Sequence, residues 1–180
     1  MAAECPRVAS VPDYLTLKEH RDGSKIVERS FRWAFVGLLT AISLAALLNQ
    51  FGQHPKTTHA AGAAADLIVR APVRVRGGLL YEAHVSVVAR KQLDDAVLVL
   101  DDGWTEQMTI NTIEPSPDDE DGSDGRLSFG YGKLEAGAEL SVYLQFQVNP
   151  TNVGRRSQRV ELRDGPTLIA AADRTVTVFP

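Results

Sequence analysis

Cysteine occurs once in these 180 residues, at Cys5. No disulfide within the chain can staple the fold, so packing alone must hold it. A basic excess is also missing: 19 Lys and Arg stand against 23 Asp and Glu, a net charge of −4. That balance argues against a phosphate backbone as partner, and no nucleic-acid binding is expected. Catalytic chemistry is thinly provided for as well. Residues 66–180 hold one histidine, His84, no cysteine and no Gly-x-Ser-x-Gly, so no nucleophile has a base at a recognisable spacing. Asp101, Asp102 and Glu106 cluster near Trp104, where turn chemistry accounts for them. No enzyme activity and no cofactor is expected.

The most telling absence is of charge between Trp33 and Gln53, in "WAFVGLLTAISLAALLNQFGQ". About 20 helical residues cross a hydrocarbon core of about 30 Å, and an amphipathic core helix would show a polar face instead. Only Thr40 and Ser43 carry hydroxyls inside the run, and each can bond to the preceding turn. A cleaved signal peptide fits worse, because 32 residues precede the run. The only inviting cleavage site, at Ala63 to Ala65, lies far beyond Leu48. The expectation is an uncleaved transmembrane helix over 33–53. Lys18, Arg21, Lys25, Arg29 and Arg32 precede it and only Lys56 closely follows. The positive-inside rule then keeps the N-terminus cytoplasmic and exports the C-terminal part.

Three further regions follow from composition. Residues 1–32 form a cytoplasmic segment with six basic and five acidic residues. Cys5 is an inert thiol there, and Tyr14, Leu15 and Leu17 are its apolar points. A helix is expected to start at Ser24, as N-cap, and to run into the membrane. Residues 54–65, "HPKTTHAAGAAA", are expected to be a linker; His54 and His59 lack a third metal ligand and are taken as part of it.

Residues 66–180, with 12 basic and 18 acidic residues, show alternation at period two. Val69, Ala71, Val73 and Val75 share one face of the first strand, with Arg70, Arg74 and Arg76 on the other. Tyr81, Ala83, Val85, Val87 and Ala89 align in the next. Leu127, Phe129 and Tyr131 align in a later one. Leu140, Val142, Leu144, Phe146 and Val148 alternate with Ser141, Tyr143, Gln145 and Gln147. Short strands between Gly, Asp-Gly and Asn-Pro turns predict a mainly β fold: an antiparallel immunoglobulin-like sandwich of about seven strands. Pro72 fits an edge strand that bends from one sheet to the other.

The stretch "GKLEAGAELSVYLQFQVNPTNVG" resembles the glycine turn, long alternating strand and Pro-containing hairpin of bacterial immunoglobulin-like domains of the CARDB type. The resemblance spans residues 66–180, with "VRVRGG" in place of the usual Asn-x-Gly element. It implies an adhesion, spacer or scaffolding module of the bacterial envelope and carries no catalytic residues.

Two sets of residues remain as candidate sites. Gly37, Ala41 and Ala45 recur every four residues, a spacing of small side chains that lets a second helix pack closely. The partner is a membrane protein or a second copy of this chain, beside the lipid bilayer itself. Tyr143, Gln145 and Gln147 could form, with Trp104, a surface for protein or sugar. The alternative is that Tyr143 is an ordinary exposed aromatic and that Trp104, after its Asp-Gly turn, caps the core. The acidic stretch Glu114 to Gly125 has six carboxylates but breaks a calcium-loop spacing, with Pro117 and Ser128 where ligands belong. It is taken as a solvated hairpin loop. The function expected is a non-catalytic, single-pass interaction or accessory subunit of a larger membrane or envelope assembly. Alternatives are an envelope module binding carbohydrate or Ca²⁺, and an accessory to a separately encoded enzyme.

Overall fold

The computed structural model describes residues 19–48, 50 and 52–180. Cys5, Tyr14, Leu15 and Leu17 lie outside the described residues, as does Asn49 at the end of the apolar run. The chain divides into an N-terminal unit ending at Phe51 and a second unit, Gly52–Pro180.

The first unit is helix α1, Glu19–Leu47. It passes unbroken through Gly23 and Ser24, so Ser24 is not its N-cap. A Gly-Ser pair costs a helix only about 1 kcal/mol, too little to stop one with good formers on both sides. Among the described residues, the span long and apolar enough to cross a membrane is Val27–Leu47, 21 residues with none buried. It begins and ends six residues before the expected 33–53. Thr40 Oγ1 donates to the Val36 carbonyl at 2.8 Å, and Arg32 is paired with Glu28 one turn earlier. Pairing tempers the cost of charge in the first turns, and a long Arg stem reaches toward water.

The second unit is a β-sandwich of eleven strands. The first sheet runs β1-β2-β4-β9-β6, namely β1 (Pro55–Ala61), β2 (Ala65–Pro72), β4 (Leu80–Ala89), β9 (Glu139–Val148) and β6 (Met108–Glu114). The second runs β3-β11-β10-β5-β8-β7: β3 (Arg74–Arg76), β11 (Thr167–Phe179), β10 (Gly154–Asp164), β5 (Ala96–Leu100), β8 (Arg126–Gly130) and β7 (Asp119–Ser123). A one-turn helix α2, Asp102–Thr105, follows β5. All pairings are antiparallel except β3 with β11. In chain order β2-β4-β9-β6 and β11-β10-β5 match the A-B-E-D and G-F-C sheets of an immunoglobulin fold, so the sandwich is immunoglobulin-like. Pro72 and Val73 carry the chain from the first sheet to the second, as the proline predicted.

The expected linker needs correction. Pro55–Ala61 pairs with β2 from Pro55 opposite Pro72 to Ala61 opposite Asp66, leaving out only Ala65. Its alanines and threonines lack the large alternating side chains that mark a strand, because an edge strand half covered by the sandwich buries little. β1 also makes β2 an inner strand, not the edge strand expected from Pro72, which ends β2 away from any free edge.

Alternation elsewhere holds. Leu67, Val69, Val85, Val87, Val142, Phe146, Val160, Leu162 and Val176 are fully buried between the sheets. Each such side chain stabilises the fold by about 1.5–3 kcal/mol before chain entropy is counted. Val73, expected in the core, is only half buried because it lies in the crossover.

Candidate interaction faces

The outward side of the first sheet is built by register. Arg70 on β2, His84 on β4, Tyr143 on β9 and Glu114 on β6 are successive partners across four strands. Their backbones lie about 4.8 Å apart, so they form one row. Within it the His84 and Tyr143 rings stack face to face, with centroids 4.3 Å apart and planes 7° from parallel. His84 Nε2 lies 3.0 Å from Ser141 Oγ and 3.2 Å from Ser86 Oγ, which fixes the imidazole plane under the phenol. Gln145 and Gln147 follow Tyr143 at period two on the same exposed face, opposite Glu82 and Leu80. An aromatic plate with two adjacent amides can stack on an apolar ring and hydrogen-bond its polar edge.

Trp104 does not join this face. It is fully buried on α2, with its ring 5.4 Å from Phe146 and the Arg174 guanidinium 5.3 Å from its centroid. A Trp one turn after Asp101 enters the sandwich because β5 ends there and the chain must turn over the open core. Arg174 is in phase with the buried Val176 and Val178, and its guanidinium donates to the carbonyls of Ala71 and Pro72 at the crossover. Burial lowers its pKa, against the nearby Tyr81 phenol. Tyr81 stacks on Phe146 at 5.1 Å and sets its hydroxyl 3.3 Å from Met108 Sδ. Its pKa is pushed up to about 12, chiefly by burial. This cluster is structural glue at the point where the strands change sheet.

The outward side of the second sheet carries a charge lattice that sequence reasoning did not single out. Glu161, nearly buried, takes Arg126 at 2.8 Å, Arg159 at 3.1 Å and Arg163 at 3.4 Å, and Arg159 also reaches Asp173 at 3.3 Å. The signal was present: Val160 and Leu162 face inward, so Arg159, Glu161 and Arg163 must share the outer face.

The acidic stretch is a hairpin, β7 pairing with β8 through a turn at Asp124 and Gly125. Its carboxylates are exposed, and among the described residues no group of three or more His, Cys, Asp or Glu is placed to hold a metal. On α1, Gly37 and Ala41 are exposed and Ala45 is half covered; a side-chain carbon added at Gly37 would meet nothing within 4 Å.

No protein-family model and no curated protein matches the chain. Among solved structures, a CARDB domain from Pyrococcus furiosus, in complex with di-metal ions, is similar at 16% identity. It covers 66% of this chain and 91% of that one, with a TM-score of 0.42. CaCohA2 from Clostridium acetobutylicum is similar at 16% identity, over 62% of this chain and 90% of that one, with a TM-score of 0.42. The sporulation control protein Spo0M of Bacillus subtilis is similar at 15% identity, over 66% of this chain and 50% of that one, with a TM-score of 0.41. These likenesses are distant, and the immunoglobulin-like assignment rests on the strand order itself.

Proposed function

We propose that the chain is a single-pass membrane protein whose sandwich is a non-catalytic interaction or accessory subunit of a larger membrane or envelope assembly. The observation that carries this is α1: 21 consecutive residues, none buried, attached to a unit whose core is complete without it. Open side chains such as Phe31, Trp33, Leu38 and Leu47 need a non-aqueous partner, which a bilayer supplies. The basic residues before Trp33 orient the sandwich outward, and Gly37, Ala41 and Ala45 offer a packing face to a neighbouring helix.

Membranes from expressing cells, washed with alkaline carbonate, should retain the chain in the pellet. Protease added to intact spheroplasts should remove the sandwich and spare a tag at the N-terminus. Release by carbonate would point to a cleaved leader or a soluble chain, and protection of the sandwich would reverse the orientation.

The stacked His84 and Tyr143 pair beside Gln145 and Gln147 favours a second reading, an envelope module that binds carbohydrate. Titration with a panel of cell-wall oligosaccharides should then quench tyrosine fluorescence in the wild type and leave Tyr143→Ala unchanged. Unaltered fluorescence across the panel would dismiss it.

A further inference from the structure

The sandwich has two ends, and its unsatisfied apolar surface is gathered at one of them. Six large hydrophobic side chains are exposed on the second unit: Leu79, Leu80, Tyr143, Val153, Leu168 and Phe179. Leu79, Leu80, Val153 and Phe179 all belong to the end where β2 finishes, β4 begins, β9 finishes and β11 finishes. The backbone knits these segments together. Gly77 N–H donates to the Phe179 carbonyl at 2.7 Å, Val148 N–H to that of Leu79 at 3.1 Å, and Gly78 N–H to that of Val148 at 2.9 Å. Each of Leu79, Leu80, Val153 and Phe179 is 45–55% exposed, an unusual concentration for one tip of a small domain.

The same end is where the chain arrives from α1. Gln53 Nε2 donates to the Leu80 carbonyl at 3.1 Å, and the His54 carbonyl accepts from Val73 N–H. Between Leu47, the last helical residue, and Gln53 there are six chain steps, a reach of at most about 20 Å. Charge follows the same polarity. Lys56, Arg74, Arg76 and Arg155 are exposed at this end on the side of β1, β3 and β10. Glu106 is taken up by Arg156 at 2.6 Å, and the exposed acids Asp102 and Asp124 lie on the side of β5 and β8. The opposite end carries Asp94, Asp95, Glu135 and Asp164, with Arg90 paired to Asp66, Lys133 paired to Glu135, and Lys91 among them.

We infer that this tip is a lipid-contacting surface: Leu79, Leu80, Val153 and Phe179 insert among the headgroups while Lys56, Arg74, Arg76 and Arg155 meet anionic phosphates. This rests on α1 being a membrane anchor. The chemistry is that of an interfacial patch, in which apolar side chains enter the headgroup boundary and cations pair around them. Apolar residues beside a run of exposed basic ones, at the tip where the tether enters, fit lipid rather than a soluble protein.

The test uses the full chain in nanodiscs containing one-third anionic phosphatidylglycerol, loaded at one copy per disc, in a Cys5→Ser background. Leu80→Cys and Val153→Cys at the tip, and Leu168→Cys at the far end, replace residues that are already exposed. Each is labelled with a polarity-sensitive fluorophore. At positions 80 and 153 emission should shift to the blue and quenching by aqueous iodide should fall several-fold relative to position 168. Adding Arg74→Glu and Arg76→Glu should restore quenching, since each basic residue near an anionic surface strengthens contact by about fivefold. Equal quenching at the tip and far end would overturn the lipid contact while leaving the anchor intact. Shielding that appears only with two copies per disc would assign the patch to a second chain instead. Failure of the chain to enter discs would remove the anchor and this inference together.

Discussion

Gly103 sits between Asp101 and Trp104 with no room for a side chain. A carbon added to it would lie 1.8 Å from the Ser157 carbonyl oxygen, a backbone atom that cannot swing aside. Gly103→Ala should therefore push α2 off β10 and unseat Trp104, lowering stability by about 3 kcal/mol or more. Gly122→Ala, whose added carbon meets only Leu127 Cδ2 at 3.4 Å, should stay near wild type. Thermal melts of both full-length variants in mild detergent compare them directly. Tyr81 gives a second test. Its phenol titrates at about 12 when folded, against an ordinary 10.0, so the unfolded chain loses this proton first. The contribution is fully present below pH 10 and is lost as pH rises to 12, about 2–3 kcal/mol over that window. Tyr131, also raised to about 12 by burial and by Glu120, adds to the same decline with less weight because it is partly open to water. Tyr81→Phe should flatten the fall in melting temperature between pH 10 and 12. An unchanged slope would show that Tyr81 is not buried as described.

Among the elements, β1 is the one whose removal tells most. It covers the edge of β2 from Asp66 to Pro72, shielding Leu67 and Val69 from one side. Thr58→Pro, at a half-covered position opposite Val69, disrupts the ladder and should cost about 1–3 kcal/mol. If 54–65 were a free linker the melt would not move. The strand was hard to see in the sequence because "PKTTHAA" offers no large side chain to pack, so hydrophobic alternation is silent there. Where an edge is mostly solvated, backbone pairing alone decides. β4 and β9 were legible because Tyr81 to Ala89 and Leu140 to Val148 alternate without a break, and Pro72 was legible as a crossover because its ring denies the ladder a donor. Trp104 misled for a physical reason. A tryptophan after an Asp-Gly turn reads equally as a cap or a surface plate, and only the register of Arg174 with Val176 and Val178 shows the core reaching out to cover it. Of the surface residues expected, Tyr143, Gln145 and Gln147 share one face, since alternation fixes side. His84 was not foreseen as Tyr143's stacking partner, because pairing across strands depends on register, which one strand's sequence does not carry.

At the scale of the whole molecule, α1 is proposed to do more than tether. If a neighbouring helix lies against Gly37, Ala41 and Ala45, Ala41→Leu should displace it while apolar length and insertion are kept. Val36→Leu leaves that stripe untouched and is the control. The measurement is recovery of the associated protein, or of a second chain, after mild detergent extraction. A marked loss for Ala41→Leu alone supports the packing face. Equal recovery assigns any association to the sandwich faces.

β1 runs directly on from the segment after α1 and lies antiparallel against β2 for seven residue pairs. If α1 anchors the chain, a pull between that base and a load at the far end of the sandwich would run along the strands. Under that direction of force the pairs are strained together, in shear, where a pull across the sheet would part them one by one. The segment that looked like slack rope would then bear tension, whereas a tether of glycine and serine in its position would stretch long before it transmitted any.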